Sequence, residues 1–182
     1  MNEKGFYSNY TNVTFLDKII SSLNSCSSFS WSVSFIKKAG LDLLLPALED
    51  ALKRGAKGEL VTSTYQNFTD VPSLEVFFSL QAKYSNFSCH VDFDSFGDDG
   101  FHTKGYIFSY PDHHEIIIGS SNITYWALMK NMEWDLSVIS KDQEPLLDSI
   151  NKEYVHYWKK TEPLTRDLIR RYTIHLSYAI QS

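Results

Sequence analysis

Apolar and small polar residues alternate strictly in two stretches of this chain. Phe29, Trp31, Val33 and Phe35 are interleaved with Ser28, Ser30, Ser32 and Ser34, and Phe87, Cys89, Val91 and Phe93 with Ser88, His90, Asp92 and Asp94. Successive side chains of a strand point to opposite faces, so each stretch predicts a strand with one buried and one polar face. Between them Leu41, Leu44, Leu45, Leu48, Ala51 and Leu52 share one helical face; Gly55 stands where a C-terminal cap belongs, and Pro46 is expected near the first turn. A β-like run at 59–64 follows, then an amphipathic segment after Pro72 with Leu74, Phe77, Phe78 and Tyr84 facing inward. The chain therefore opens βαβα.

Further on, 106–109, 115–118 and 134–139 read as strands and 124–130 as a short helix. Residues 146–158 and 164–180 read as closing helices, the second begun by Pro163. This alternation predicts the α/β class, an α-β-α sandwich around a mixed central sheet. With 182 residues and no repeat or linker, one domain over 1–182 is expected, its core about 15–160 and its closing helices about 143–180.

Composition narrows the function classes. No apolar run approaches 18 residues and the first residues lack a basic-then-apolar leader, so a cytoplasmic protein without membrane partners is expected. Cys26 and Cys89 are the only cysteines, which supports neither a disulfide scaffold nor a thiolate metal site. Basic residues number 17 and acidic residues 22, a net charge of −5. That balance argues against a protein that coats DNA, but not against one that grips a few phosphates at one point. The acidic cluster Asp92, Asp94, Asp98 and Asp99 lacks the glycine and closing glutamate of a calcium loop. Lys159, Lys160, Arg166, Arg170 and Arg171 read as a solvated helix face.

Chemistry concentrates in residues 101–135. His102 and Lys104 lie two apart on an expected strand and so point to one face; an ammonium group that neutralises non-bridging oxygens beside a neutral imidazole that attacks suits a phosphoryl centre. Gly119-Ser120-Ser121-Asn122 follows the strand 115–118, and a Gly-Ser turn there presents N–H groups, a hydroxyl and an amide to an anion. Each piece alone is ordinary: a surface strand, a turn before a helix. His113 and His114, beside Asp112 and Glu115, point to opposite faces of a strand and make a polar loop end rather than a metal site. Tyr65 and Phe68, in a loop after a strand, are candidates for stacking on nucleic-acid bases.

In this order, His102-Thr103-Lys104 and Gly119-Ser120-Ser121-Asn122 resemble the signature of the phospholipase D superfamily. Ser109 stands where that signature carries an aspartate, and the gap to Gly119 is longer than usual. The fuller string, with Ala127-Leu128 and Asn131-Met132-Glu133-Trp134-Asp135, resembles the branch of metal-independent restriction endonucleases and helicase-associated modules, in which a glutamate matching Glu133 replaces the aspartate. The resemblance spans about 15–140. It implies a nuclease, on DNA above all, that needs no metal or cofactor: one histidine forms a phosphohistidine and a second protonates the leaving alcohol. It also places such modules beside helicase or DNA-binding domains. Because only one His-x-Lys is present, it implies a homodimer with a composite site of His102, Lys104, Ser120, Asn122 and Glu133 from both copies, Glu133 holding the imidazole tautomer. Phospholipid hydrolysis, or a nucleic-acid-binding or regulatory module without turnover, are the competing expectations.

Overall fold

The computed structural model describes residues 4–93 and 100–179. Eight strands form one sheet: β1 (Lys4–Tyr7), β2 (Ser28–Val33), β3 (Lys57–Ser63), β4 (Phe87–Asp92), β5 (Lys104–Ser109), β6 (His114–Gly119), β7 (Asp135–Ser140) and β8 (Glu162–Pro163). Their order is β1-β7-β6-β5-β2-β3-β4-β8. β2, β3 and β4 run parallel and the remaining pairs antiparallel, so the sheet is mixed as the alternation predicts. The helices are α1 (Phe15–Ser25), α2 (Lys38–Lys53), α3 (Val71–Lys83), α4 (Tyr125–Met129), α5 (Pro145–Lys160) and α6 (Arg166–Ala179).

Two layers of helix cover the sheet unequally. α1, α2, α3, α4 and α6 pack on one face around Trp31, Tyr106, Phe29 and Phe108. α5 lies on the other, where Tyr154, Tyr157 and Trp158 meet Val61 and Phe101. β2 is central, which changes the expected character of its polar face: Ser32 and Ser34 are buried, and their hydroxyls bond Thr103 instead of water.

Several elements differ from the sequence reading. α2 starts at Lys38, so Pro46 falls mid-helix rather than in the first turn. The early start is stabilised from outside, because the Lys38 N–H donates to both Asp70 carboxylate oxygens. Pro46 and Asp42 are both exposed, so water can meet the carbonyl that proline leaves without a donor. The other end follows expectation: Gly55 takes φ +98, and the Gly55 and Ala56 N–H groups return to Leu52 and Ala51. Pro163 lies in the two-residue strand β8, not in a helix, and α6 begins at Arg166. β1 and α1 were not anticipated. The signal for α1 was present, since Thr14 and Asp17 form a capping box ahead of Phe15, Ile19 and Leu23.

Burial settles other assignments. Cys26 and Cys89 are buried; burial raises the Cys26 thiol to about 11 and Cys89 further, so neither is a reactive thiolate. Arg166, Arg170 and Arg171 pair with Glu75, Asp167 and Glu162. Asp92 is buried and accepts from the Ser63 hydroxyl at 3.2 Å; Asp94, Asp98 and Asp99 lie outside the described residues. On β6, buried Glu115 holds Lys18 of α1 at 2.7 Å and the Ser22 hydroxyl at 2.8 Å.

Candidate active site

The ends of β2 and β3, the start of β5 and the end of β6 meet at one end of the sheet, outside the carboxyl ends of the parallel strands. That is where open α/β sheets bind ligands. The chain leaving β2, residues 34–37, straps the surrounding loops together. Ser34 N–H donates to Thr103, Ile36 N–H to the Thr69 hydroxyl, Lys37 N–H to Ile123, and Asp70 N–H returns to Ile36. Phe35 is thereby fixed at the centre of the site. Its ring lies 4.7 Å from Phe68 and 5.2 Å edge-on to His102, with Lys104 Nζ 5.4 Å from its centroid.

His102 does not lie on the strand as expected; β5 begins at Lys104. The two side chains nevertheless meet. Lys104 Nζ is 3.0 Å from His102 Nδ1 and 3.1 Å from Nε2, and it donates to the His102 carbonyl at 2.9 Å. An ammonium group in that position is compatible with a neutral ring and repels an imidazolium. Partial burial, and then the Lys104 charge, hold His102 below the ordinary histidine value. Burial also lowers Lys104, against the charge of Glu133.

The turn after β6 is built by buried partners. A side chain at position 119 would collide with the Asp135 carboxylate and the Trp134 carbonyl, so only glycine fits. Asp135, paired in register with Gly119, is buried and accepts the Ser121 N–H at 3.2 Å and hydroxyl at 2.5 Å. Burial raises its carboxyl, with the Ser121 hydrogen bonds opposing. From below, the buried Tyr106 hydroxyl donates to the Ser121 carbonyl at 2.8 Å. Sequence reading gave Asp135, Tyr106 and Phe35 no role at the site, although Asp135 ends the family-like string and Phe35 the first alternating stretch, because cross-strand register is invisible in one chain.

This construction corrects the expected anion cradle. The N–H groups of Ser120, Ser121, Ile123 and Thr124 all donate within the protein, to Trp134, Asp135, Phe35 and Asn122. Side chains are what the turn offers. Asn122 Oδ1 accepts the Phe35 N–H at 3.1 Å, which aims its NH₂ as the remaining donor. The exposed Ser120 hydroxyl donates to Glu133 and accepts the Trp134 N–H at 3.1 Å. Glu133 also takes Asn131 Nδ2 at 3.2 Å; among the described residues of one chain it makes no hydrogen bond to His102.

The remaining expectations divide. Phe68 is exposed beside Phe35, and the Tyr65 ring lies against Gly100, both at the rim of the site. The loop that carries them is strained, with Gln66 and Asn67 at φ 53 and 59. His113 and His114 diverge, the first to Asp112, the second to Ser109 and Asp142. Among the described residues no three His, Cys, Asp or Glu side chains converge as metal ligands, and no helix is long and apolar enough to cross a membrane.

Comparison with known proteins gives a consistent answer. A family model described as "Cardiolipin synthase, PLD-like domain" matches residues 19–158. The structure resembles the phospholipase D family member Nuc of Salmonella typhimurium, with a TM-score of 0.69 and 19% identity over 90% of this chain and 98% of that one. It resembles NucT of Helicobacter pylori with a TM-score of 0.66 and 16% identity, over 90% and 99% of the two chains. A phosphatidylserine synthase of Haemophilus influenzae follows at 0.64 and 13%, covering 99% of this chain but 46% of that one. No curated protein matches the sequence.

Proposed function

The chain belongs to the phospholipase D-like family, and from that membership we propose that it is a metal-independent phosphodiesterase acting on nucleic acid, above all DNA. The observation that carries this reading is the contact of Lys104 with a neutral His102 beside Ser120, Asn122 and Glu133. An imidazole that accepts from the Lys104 ammonium is freed as a nucleophile when that cation turns to the phosphoryl oxygens. Exposed Phe68 and the Tyr65 ring at the rim supply stacking surfaces for bases.

One chain supplies one His-x-Lys, so the site is completed by a second copy. An uncovered apolar strip of the sheet borders the site on the α5 side: Ile118 pairs in register with Leu136, and Leu136 with Phe6, whose ring meets Trp134 at 5.7 Å. About half of each of the first three side chains is exposed, and more of Trp134. Such a patch, continuous with an incomplete site, is the surface on which the second copy docks. His102 then attacks phosphorus, forming a P–N bond as the P–O ester bond breaks; the partner's His102, entering as the imidazolium that the charge of the bound phosphate stabilises against Lys104, gives its proton to the leaving oxygen. The same ring next takes a proton from water, whose oxygen displaces the phosphohistidine nitrogen. Glu133 stabilises the charge of Lys104 and the charge that develops on the histidines. The chain fits the nuclease branch in carrying Glu133 and in lacking the usual aspartate at Ser109, whose hydroxyl is instead bound to His114.

Cleavage of DNA in excess EDTA, lost in His102→Ala, tests the reading. Hydrolysis restored by mixing His102→Ala with a second inactive variant would contradict a shared site that needs both histidines. Equal DNA binding without cleavage by either protein would favour the non-catalytic module. Cleavage of phospholipid vesicles in place of DNA would favour the lipid alternative.

A further inference from the structure

The alternating stretch that builds β2 does not end with the strand. Phe29, Trp31 and Val33 are buried in the core, but Phe35, the next apolar residue of the same alternation, lies beyond the strand end and is only partly buried. It packs in neither of the two hydrophobic clusters among the described residues. Its ring meets Phe68, His102 and Lys104 instead. We propose that Phe35 is a positioning residue for phosphodiester hydrolysis: its ring seats the His102 imidazole and keeps the Lys104 ammonium in place as that cation turns from the imidazole to the phosphate. The inference rests on the phosphodiesterase reading above, which supplies the phosphate.

Three contacts support this. The backbone of Phe35 is held on both sides: its N–H donates to Asn122 Oδ1 at 3.1 Å, and its carbonyl accepts the Ile123 N–H at 3.2 Å. One residue thus joins the amide expected to meet the phosphate to the pair that reacts with it. The ring meets His102 with 69° between the planes, an edge-to-face arrangement that fixes the tilt of the imidazole. Lys104 Nζ lies over the same ring, 5.4 Å from its centroid, as a cation–π contact. A hydrogen bond to an imidazole nitrogen is directional, whereas attraction to a ring face is broad. The ammonium can therefore exchange His102 for a phosphoryl oxygen without leaving Phe35. An aliphatic side chain of similar volume fills the space but offers no such attraction.

Phe35→Leu keeps an apolar group and removes the ring; Phe35→Tyr keeps the ring. Both are compared with the wild type in hydrolysis of bis(p-nitrophenyl) phosphate and in thermal melting followed by circular dichroism. Phe35→Leu is expected to lower kcat by roughly 10- to 100-fold with KM and Tm little changed, and Phe35→Tyr to keep most of the wild-type kcat. An unchanged kcat in Phe35→Leu, a loss equal in both variants, or a loss that follows unfolding overturns the proposal. A second arm does not need turnover. The titration midpoint of His102, read from its imidazole C–H resonances, is measured with and without Lys104→Met in the wild-type and Phe35→Leu backgrounds. If Phe35 holds the ammonium, Lys104→Met displaces the midpoint in the first background and much less in the second. Equal displacement in both overturns the proposal. A wild type that hydrolyses nothing removes the phosphodiesterase reading, while this comparison still decides whether Phe35 places Lys104 against His102.

Discussion

The Ser120 hydroxyl donates to Glu133 while accepting the backbone N–H of Trp134, and so ties the turn after β6 to the segment entering β7. Ser120→Ala frees one carboxylate oxygen and the Trp134 N–H at once. Hydrolysis of bis(p-nitrophenyl) phosphate is expected to fall by roughly 10²-fold, the scale for losing one preorganised donor, with the circular dichroism spectrum unchanged.

On the proposed mechanism, the protonation of His102 sets the acid limb of the reaction. Because burial and Lys104 hold its pKa below the ordinary value, the ring keeps its lone pair down to a pH below that of a free histidine. As pH falls through that point the nucleophile is protonated and kcat/KM drops. Lys104→Met removes the cation that lowers His102, so the titration must move upward. NMR of the imidazole C–H resonances reads this shift independently of activity, and an unmoved midpoint would count against the contact.

Gly119 has no room for a side chain against Asp135 and Trp134. Gly119→Ala must displace β7 from β6 at the site, at a cost of about 1–3 kcal/mol. A fall in Tm of roughly 2–12 °C is expected, with loss of turnover exceeding any loss explained by unfolded protein.

The sheet strip that borders the site tests the proposed dimer. Leu136→Asp places a charge on the exposed face beside Ile118 and Phe6 without touching His102, Lys104, Ser120, Asn122 or Glu133. Sedimentation equilibrium should show dimer giving way to monomer, and activity should fall in proportion to the dimer lost. A monomeric wild type with full activity would rule this out.

Stability carries its own pH signature. Burial lowers Lys18, but the hydrogen bond and charge of Glu115 outweigh it and raise the lysine above its ordinary value of 10.5. The pair's stabilisation is complete below the unfolded value and is lost as pH climbs through the raised one. Lys18→Ala leaves Glu115 buried with the Ser22 hydroxyl, and a loss of about 3 kcal/mol is expected in urea unfolding at neutral pH.

Much of this arrangement was legible from local pattern. Alternation located β2 and β4, the Leu41 to Leu52 spacing located α2, and motif order brought His102, Lys104, Ser120, Asn122 and Glu133 to one end of the sheet. What escaped depends on distant partners. Asp70 sets where α2 begins, Asp135 and the Trp134 carbonyl consume N–H groups that the Gly-Ser turn was expected to offer, and β4 draws Pro163 into a strand. Each is a tertiary hydrogen bond overriding a local preference.

Pro163 also limits how the molecule can associate. The strand it belongs to is two residues long, and the ladder bond beyond it comes from the Leu164 N–H to Cys89. Proline offers no donor to an incoming chain, so the β8 edge cannot template a ninth strand. Strand-to-strand pairing at that border is thereby disfavoured, and the opposite border of the sheet is the four-residue strand β1.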